Sequence, residues 1–149
     1  TNVYARMHDG DRALECLGLL ARSCVMNHCF TTHNDWRGSG IGVDFPSAPF
    51  QIDANLGWTA AVQEMLLFSV PGTITILPAL PADWPRGSVK GLLARGGIEV
   101  SIVWNTDGPS VEVELRSSKA QMVELKSPLG SGQSRMLELD ANERHQLQL

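Results

Sequence analysis

The chain has 149 residues, enough to bury a hydrophobic core as one domain or as two small ones. Its 12 basic and 16 acidic residues form no long run of one sign, and the net charge of -4 argues against an electrostatic nucleic-acid or membrane partner. Although 43% of the residues are hydrophobic, the purely apolar stretches are far shorter than the roughly 20 residues that a membrane-spanning helix needs.

The opening residues do not resemble the start of a protein. Position 1 is Thr rather than Met, and no basic segment followed by an apolar one lies near it. We therefore expect a piece of a longer protein. Any secretion signal would then lie upstream, which leaves the cellular compartment unknown.

The three cysteines, Cys16, Cys24 and Cys29, have no C-x-x-C spacing, and we expect no disulfide scaffold. Together with His28 and His33, the last two offer the residue types of a zinc site. The adjacent His28 and Cys29 would point in different directions on any regular element. We therefore expect no metal and no cofactor.

Two helices are predicted in the first half of the chain. The first covers residues 9–26, where Asp9 and Asp11 can cap the first turn and complement the helix dipole. Its apolar stripe consists of Ala13, Leu14, Leu17, Leu20, Ala21 and Cys24. The second covers about residues 56–69 and ends before Pro71-Gly72. Its broad apolar face requires neighbours on more than one side and is formed by Trp58, Ala61, Val62, Met65 and Phe68.

The start of the second helix must lie between Pro49 and Trp58, and this stretch contains Asp53 and Asn55. Because Pro49 disfavours a helical conformation for the residue before it, Asp53 and Asn55 are expected at the mouth of this helix. One interpretation is structural, since either side chain can cap the free N–H groups there. The other is chemical, since a carboxylate at an open helix end can orient a water for attack on an anomeric carbon. That reaction needs a second carboxyl group, and Glu64, about 16 Å further along the helix, is too distant to supply it.

A long polar connection, residues 27–51, joins the two helices. Ordered loops of such length in compact domains are usually functional. His33, Asn34, Trp36 and Arg37 all fall within this connection. Fixed donors and acceptors of these types can bind sugar hydroxyls, while an aromatic face packs on the apolar side of the ring. We predict a sugar site here; the alternative is a polar surface loop whose Trp lies against the core.

After Gly72 the apolar residues alternate with period two, which predicts strands. They fall at residues 73–77, 97–104, 111–115, 120–126, 135–140 and 145–149, with a hairpin turn at 105–108 and turns at Ser127-Pro128 and Gly130-Ser-Gly132. The pattern predicts an antiparallel β-sandwich, with Trp104 facing its core. Residues 77–88 contain three prolines and should form a stiff strap between the two halves. We place the boundary near residues 70–78, which gives one part at 1–72 and another at 73–149.

Several motifs resemble, in order and spacing, the C-terminal region of glycoside hydrolase family 95, the α-L-fucosidases that act on α-1,2-linked fucose. They are Asp9-Gly-Asp-Arg-Ala13, Pro49-Phe-Gln-Ile-Asp-Ala-Asn-Leu-Gly57, Glu64-Met-Leu66, Leu77-Pro-Ala-Leu-Pro-Ala-Asp-Trp-Pro85, and Gly87-Ser-Val-Lys-Gly-Leu92 followed by Ala94-Arg-Gly-Gly97. The match covers about residues 5–105. A set of motifs in fixed order is more specific than any one of them.

The resemblance implies an inverting hydrolase in which an (α/α)6 barrel precedes a β-sandwich, so that residues 1–72 would be the last barrel helices. It also implies that Asp53, the aspartate of the Gln-Ile-Asp-x-Asn element, assists an asparagine pair in activating the nucleophilic water. The proton-donating glutamate and that asparagine pair would lie upstream, and the isolated chain is expected to be inactive. The implied partners are the upstream barrel of the same polypeptide and a fucosylated oligosaccharide or polysaccharide.

Two departures from the family pattern concern the sugar. The family commonly has a sugar-contacting histidine shortly before Pro-Phe-Gln-Ile-Asp, where this chain has Ser47-Ala48, and Ala54 and Leu56 replace a Gly and a Phe of the family. We hypothesise that His33 supplies the missing contact, and the sugar can be L-fucose or L-galactose. The other predicted substrate contacts are Asn34, Trp36, Arg37 and Asn55.

The alternative from another functional class is a non-catalytic carbohydrate-binding or structural β-sandwich module. Such a module would present an aromatic platform to a glycan. Trp84 and Trp104 are the only aromatic side chains after residue 72, and the second shares its predicted face with core residues. The sequence therefore favours the hydrolase over the binding module.

Overall fold

The computed structural model describes residues 1–42, 46–108, 110–127 and 134–149. Within these ranges the helices are α1 (Asn2–Arg6), α2 (Gly10–Ser23) and α3 (Ile52–Leu66). The strands are β1 (Leu67–Val70), β2 (Thr73–Ile76), β3 (Arg86–Ala94), β4 (Ile98–Asn105), β5 (Ser110–Ser117), β6 (Gln121–Lys126), β7 (Ser134–Leu139) and β8 (Arg144–Gln148). Nowhere in the described ranges is a helix long and apolar enough to cross a membrane.

The first predicted helix is confirmed as α2. Asp9 is its N-cap, and its carboxylate accepts a hydrogen bond from the backbone N–H of Arg12 at 3.1 Å. The helix ends at Ser23, somewhat before the predicted end. Ala13 and Leu17 of its apolar stripe are buried against Met65 of α3, so the stripe has the helical partner that its pattern requires.

The predicted bounds of α3 were wrong at both ends. The helix begins at Ile52, so Asp53 and Asn55 lie within its first turns, and Gln51 rather than either of them is the N-cap. It ends at Leu66, and Pro71-Gly72 forms the turn between β1 and β2 instead of stopping the helix. The apolar run misled the prediction because it continues from the buried face of the helix directly into β1.

The strands form two four-stranded sheets with the orders β1-β2-β6-β7 and β3-β4-β5-β8, as far as the described residues show. Alternate residues of both sheets bury their side chains in one shared core, an arrangement consistent with a β-sandwich. The predicted hairpin is confirmed, since Trp104 of β4 pairs with Val111 of β5 in an antiparallel register. The predicted turns at Pro128 and at 130–132 lie outside the described residues.

The prediction of a purely antiparallel sandwich was wrong for one pair of strands. β2 runs parallel to β6, with Ile74 opposite Leu125. Between these strands the chain passes through β3, β4 and β5 of the other sheet, and such a long crossover permits parallel pairing. Strand β3 was not predicted, because its register shifts between Val89 and Leu92 and interrupts the alternation.

Residues 77–85 connect β2 to β3 and contact both hydrophobic clusters. Leu77 is buried in the core of the sheets, and Ala79 is buried in the cluster formed by the helices. Trp84 packs against both clusters. The predicted division between residues 72 and 73 stays a prediction; the strands on either side of it, β1 and β2, form one hairpin.

The predicted inward orientation of Trp104 is confirmed. Its side chain is only 6% exposed, and its indole N–H donates to the carbonyl oxygen of Trp84 at 2.9 Å. Gly87 lies opposite it in β3, where any Cβ atom would overlap the indole ring. The glycine therefore creates the space that the buried tryptophan occupies.

Candidate active site

Asp53 and His33 meet at one side chain, the amide of Gln51. The Nε2 group of Gln51 donates to Asp53 Oδ2 at 3.0 Å. On the other side, Gln51 Oε1 lies 3.1 Å from His33 Nδ1. Sequence reasoning did not single out Gln51. The signal that could have found it is a long amide at the first position before the helix, where short capping side chains are preferred.

Short backbone contacts bring these three side chains together. The backbone N–H of Gln51 donates to the carbonyl of Thr31 at 2.8 Å, and that of His33 donates to the carbonyl of Pro49 at 2.9 Å. Thr32 and Phe50 pair as an antiparallel bridge between these contacts. The start of the loop is therefore held alongside the residues that lead into α3.

Asp53 is an exposed carboxylate in the first turn of α3. A negative charge is favoured at this end of a helix, where backbone N–H groups have no partner inside the helix. Its Oδ2 accepts from Gln51, and within the described residues no second group donates to this carboxylate. One carboxylate oxygen is therefore available to accept a hydrogen bond from a water.

Asn55 connects α3 to the loop through both ends of its amide. Its Oδ1 accepts from the backbone N–H of Thr31 at 2.7 Å, and its Nδ2 donates to the carbonyl of Cys29 at 2.8 Å. A substrate contact by Asn55 would have to share or replace these hydrogen bonds. The predicted substrate role of Asn55 stays a prediction.

Arg37 and Trp36, both predicted substrate contacts, contact each other. The Arg37 guanidinium lies 4.1 Å from the centre of the Trp36 ring and covers one of its faces. The same guanidinium donates to the carbonyl of Val25 at 2.6 Å and to that of Arg22 at 3.2 Å, at the C-terminal end of α2. Trp36 remains 39% exposed. Arg37 thus fastens the loop to α2, a role that its sequence context did not reveal.

Three side-chain oxygens of the loop are buried without a hydrogen-bond partner in the described part of the chain: Thr31 Oγ1, Asn34 Oδ1 and Asp35 Oδ1. Asn34 itself is only 5% exposed. Its side chain therefore faces the interior of the loop rather than the open surface beside Asp53. Among the predicted sugar contacts in the loop, His33, Trp36 and Arg37 have exposed side chains, and His33 contacts Gln51.

Asp35 organises the next part of the loop. Its Oδ2 accepts from the Ser39 hydroxyl at 2.8 Å and from the backbone N–H of Ile41 at 3.1 Å. Partial desolvation raises the pKa of Asp35, but these hydrogen bonds outweigh it and hold the pKa below its ordinary value. The carboxylate is therefore ionised wherever the loop is folded at neutral pH.

Phe30 and Phe50 are two aromatic residues to which the sequence analysis assigned no role. The rings of Phe30 and Phe50 lie 4.6 Å apart between centroids, and His28 meets Phe30 edge-on at 4.8 Å. Both phenylalanines are about half exposed. They lie near the two ends of the loop, residues 27–51, and form an exposed aromatic cluster there, with Phe50 two residues before the start of α3.

One group of potential metal ligands occurs among the described residues, far from Asp53 in sequence. Asp140, Glu143 and His145 place one ligand atom each within 4.8 Å of one another. The backbone N–H of Asp140 donates to His145 Nε2 at 3.2 Å, so that nitrogen already has a partner. The carboxylates are exposed, and exposed acidic groups commonly lie close together without binding an ion.

Comparison with known proteins identifies related sequences for both parts of the chain. The family model of the glycoside hydrolase family 95 catalytic domain matches residues 1–66, and that of the family 95 C-terminal domain matches residues 69–147. The chain is 57% identical over 124 residues to Alpha-L-fucosidase 2 of Arabidopsis thaliana. This alignment covers 78% of the chain and 14% of the relative.

Two fungal relatives extend the comparison. Over 77 residues the chain is 44% identical to Probable alpha-fucosidase A of Aspergillus oryzae, covering 45% of this chain and 11% of the relative. Over 109 residues it is 37% identical to Probable alpha-fucosidase A of Aspergillus niger, covering 64% and 14% respectively. The chain thus spans about one seventh or less of the length of these curated relatives. Because the two family models match adjoining segments that cover nearly all of it, the chain belongs to glycoside hydrolase family 95.

Proposed function

We propose that this chain is the C-terminal part of an α-L-fucosidase that removes terminal α-1,2-linked L-fucose, or the related sugar L-galactose, from glycans with inversion at the anomeric carbon. Asp53 carries the proposal. It is an exposed carboxylate in the first turn of α3, fixed by Gln51 and with one oxygen available to water. The alpha-fucosidase names of the relatives support the substrate class.

In the proposed reaction Asp53 accepts a hydrogen bond from the attacking water and, with an asparagine pair supplied upstream, orients it toward the anomeric carbon. The carboxylate takes a proton from the water as the water oxygen bonds to the anomeric carbon and the glycosidic bond breaks. A general acid on the opposite side of the glycosidic bond protonates the leaving oxygen, as inversion requires. His33, exposed and joined to Gln51, contacts a sugar hydroxyl.

The upstream partner in this proposal is the rest of an (α/α)6 barrel, with residues 1–72 as its last helices and residues 73–149 as the sandwich that follows. Exposed apolar side chains on α3 support this partner, since Ile52 is 59% and Leu56 67% exposed. Trp58 Nε1 is also buried without a hydrogen-bond partner in the described part of the chain. Because the general acid would lie in the missing part, the isolated chain is inactive in this proposal.

The test is Asp53→Asn in the longer polypeptide that carries this chain, assayed on an α-1,2-linked fucosyl oligosaccharide. We expect kcat to fall about 10²- to 10⁴-fold, the usual range for a group that activates water. Asp83→Asn, which changes an exposed carboxylate of the segment before β3, is the matched control and should keep normal turnover. Normal turnover in Asp53→Asn would leave Asp53 with a purely structural role.

Two further measurements test the finer parts of the proposal. NMR of the first sugar released distinguishes inversion from retention, because the α-fucoside yields the β-anomer only under inversion. Comparison of kcat/KM for matched L-fucosides and L-galactosides decides which sugar is preferred. Retention of configuration would contradict the proposed water attack.

A further inference from the structure

We propose that Gln51 is a positioning residue that joins Asp53 and His33 into one hydrogen-bonded unit and holds His33 in the Nδ1–H tautomer. The inference rests on the proposed function, in which Asp53 orients the water and His33 contacts the sugar. It assigns a role to a side chain that touches neither the water nor the sugar. Gln51 orients Asp53, which contacts the water, and His33, which contacts the sugar, and it determines which nitrogen of His33 carries the proton.

The position of Gln51 is the first step of the argument. It is the N-cap of α3, but its side chain makes no capping hydrogen bond to the helix. The amide is directed instead to Asp53 Oδ2 on one side and to His33 Nδ1 on the other. The first N–H groups of the helix are therefore left without this cap, while the amide links two exposed ionisable groups.

The chemistry of the three groups fixes the direction of each hydrogen bond. An ionised carboxylate only accepts, so the NH₂ group of the Gln51 amide must face Asp53. The carbonyl oxygen of the amide then faces His33 and can only accept. His33 Nδ1 must therefore carry a proton, which leaves Nε2 as the unprotonated nitrogen of the neutral ring.

The backbone around Gln51 restricts how the amide can move. Its own N–H is bonded to the Thr31 carbonyl, and the N–H of His33 is bonded to the Pro49 carbonyl. These two hydrogen bonds join the segment that contains His33 to the segment that leads into α3 and contains Asp53. Asp53 and His33 are ordered before a substrate arrives, so less entropy is lost on reaching the reactive arrangement.

The tautomer of His33 is measured directly on the chain labelled with ¹⁵N, by long-range ¹H–¹⁵N spectra of the imidazole at a pH where the ring is neutral. We expect the Nδ1–H form in the unchanged chain. Gln51→Met, which has a similar length and no hydrogen-bonding amide, should shift the ring toward the Nε2–H form. Gln63→Met is the matched control on the same helix and should leave the spectrum unchanged, since that amide is exposed at the far end of α3.

A second variant separates the two halves of the unit. Gln51→Glu keeps an acceptor for His33 but loses the donor to Asp53 and places a like charge beside it. The Nδ1–H tautomer should survive in Gln51→Glu. In the longer polypeptide, both Gln51→Met and Gln51→Glu should lower kcat about 10- to 100-fold, because a poorly oriented carboxylate directs the water poorly.

Two results would overturn the inference. One is an Nε2–H ring in the unchanged chain, or a ring whose tautomer does not respond to Gln51→Met. The other is a normal kcat for both Gln51 variants in an enzyme that Asp53→Asn disables. The second outcome refutes the positioning role alone, whereas normal turnover in Asp53→Asn refutes the proposed function, so the two failures are distinguishable. A merely structural Gln51 would reduce the amount of folded protein without changing the tautomer.

Discussion

The side-chain oxygen of Asn55 accepts a hydrogen bond from the backbone N–H of Thr31 at 2.7 Å, although 24 residues separate the two in sequence. The nitrogen of the same amide donates to the carbonyl of Cys29 at 2.8 Å. One side chain on α3 therefore determines where the loop lies relative to the first turn of this helix. Because His33 lies two residues after Thr31, Asn55 also influences how His33 approaches Gln51.

Asn55→Leu should destabilise the chain, because it leaves the N–H of the fully buried Thr31 without a partner. We expect a loss of about 1–3 kcal/mol in the free energy of unfolding, measured by urea denaturation. Amide hydrogen exchange at Thr31 should accelerate in parallel. Asn55→Asp keeps the acceptor and should protect Thr31 better than Asn55→Leu does. Equal protection of Thr31 in both variants and in the unchanged chain would contradict this role.

Arg37 offers a direct comparison between a sequence prediction and a structural role. In its structural role, the Arg37 guanidinium donates to carbonyls at the end of α2 and stacks on Trp36, and so holds the loop against this helix. Arg37→Met should then lower the free energy of unfolding by about 1 kcal/mol, since a cation near a helix C-terminus is favourable and the group is largely exposed. Arg37→Lys should recover part of the loss because it keeps the charge without the planar stacking.

The substrate role predicted for Arg37 leads to another outcome in the longer polypeptide. If the guanidinium contacted the sugar, both variants would raise KM well beyond any change in stability. If it only fastens the loop, KM should change little under conditions where the variants stay folded. Thermal denaturation and steady-state kinetics on the same preparations distinguish the two.

The parts of the fold that were predicted correctly are those that a regular pattern specifies. The capping carboxylate of Asp9 and the helical spacing of Ala13 and Leu17 give α2, and strict alternation gives β4 and β5. β3 was missed because a register shift and two glycines remove the alternation, and the parallel pairing of β2 with β6 depends on contacts distant in sequence. Local periodicity contains neither kind of information.

The candidate site was predicted in composition but not in arrangement. Both Asp53 and His33 were singled out in the sequence analysis, but they are connected through Gln51. Gln51 was missed because an uncharged, non-aromatic side chain is not a typical catalytic or sugar-stacking residue. Arg37 was assigned to the sugar because its chemistry suits one. Only the fold shows that carbonyls at the end of α2 and just after it lie within hydrogen-bonding distance of its guanidinium.

Two helical glycines should respond oppositely to substitution by alanine. A Cβ atom at Gly10 would lie 2.6 Å from the carbonyl oxygen of Ala79, where the segment before β3 passes over the start of α2. Nothing lies within 4 Å of such an atom at Gly57 in α3. Gly10→Ala should therefore destabilise the chain by about 1–3 kcal/mol, and Gly57→Ala should stabilise it by about 0.5–1 kcal/mol.

Urea denaturation of the two glycine variants measures both changes on the same chain. A destabilising Gly57→Ala would mean that α3 is closer to a neighbour than the structure shows. A neutral Gly10→Ala would mean that the segment around Ala79 moves away at little cost. The combined variant should be additive, because the two sites share no contacting residue.

The hydrogen bonds to Asp35 predict a pH dependence of the loop. Because the pKa of Asp35 is held below its ordinary value in the folded chain, the unfolded chain binds more protons between the two values. The stabilisation is fully present above about pH 4, near the unfolded value, and is lost as the pH falls through the folded pKa. Amide exchange at Ile41 should therefore accelerate, relative to its intrinsic rate, as the pH falls below 4.

Asp35→Asn is the control for this effect. The amide oxygen can still accept from Ile41 N–H and from Ser39, but it does not titrate in this range, so the acid-dependent loss of protection should disappear. Protection of Ile41 at neutral pH should be lower than in the unchanged chain, since a carboxylate accepts more strongly than an amide. If Ile41 loses protection below pH 4 equally in both proteins, a group other than Asp35 is responsible, and the loop is not organised by this carboxylate.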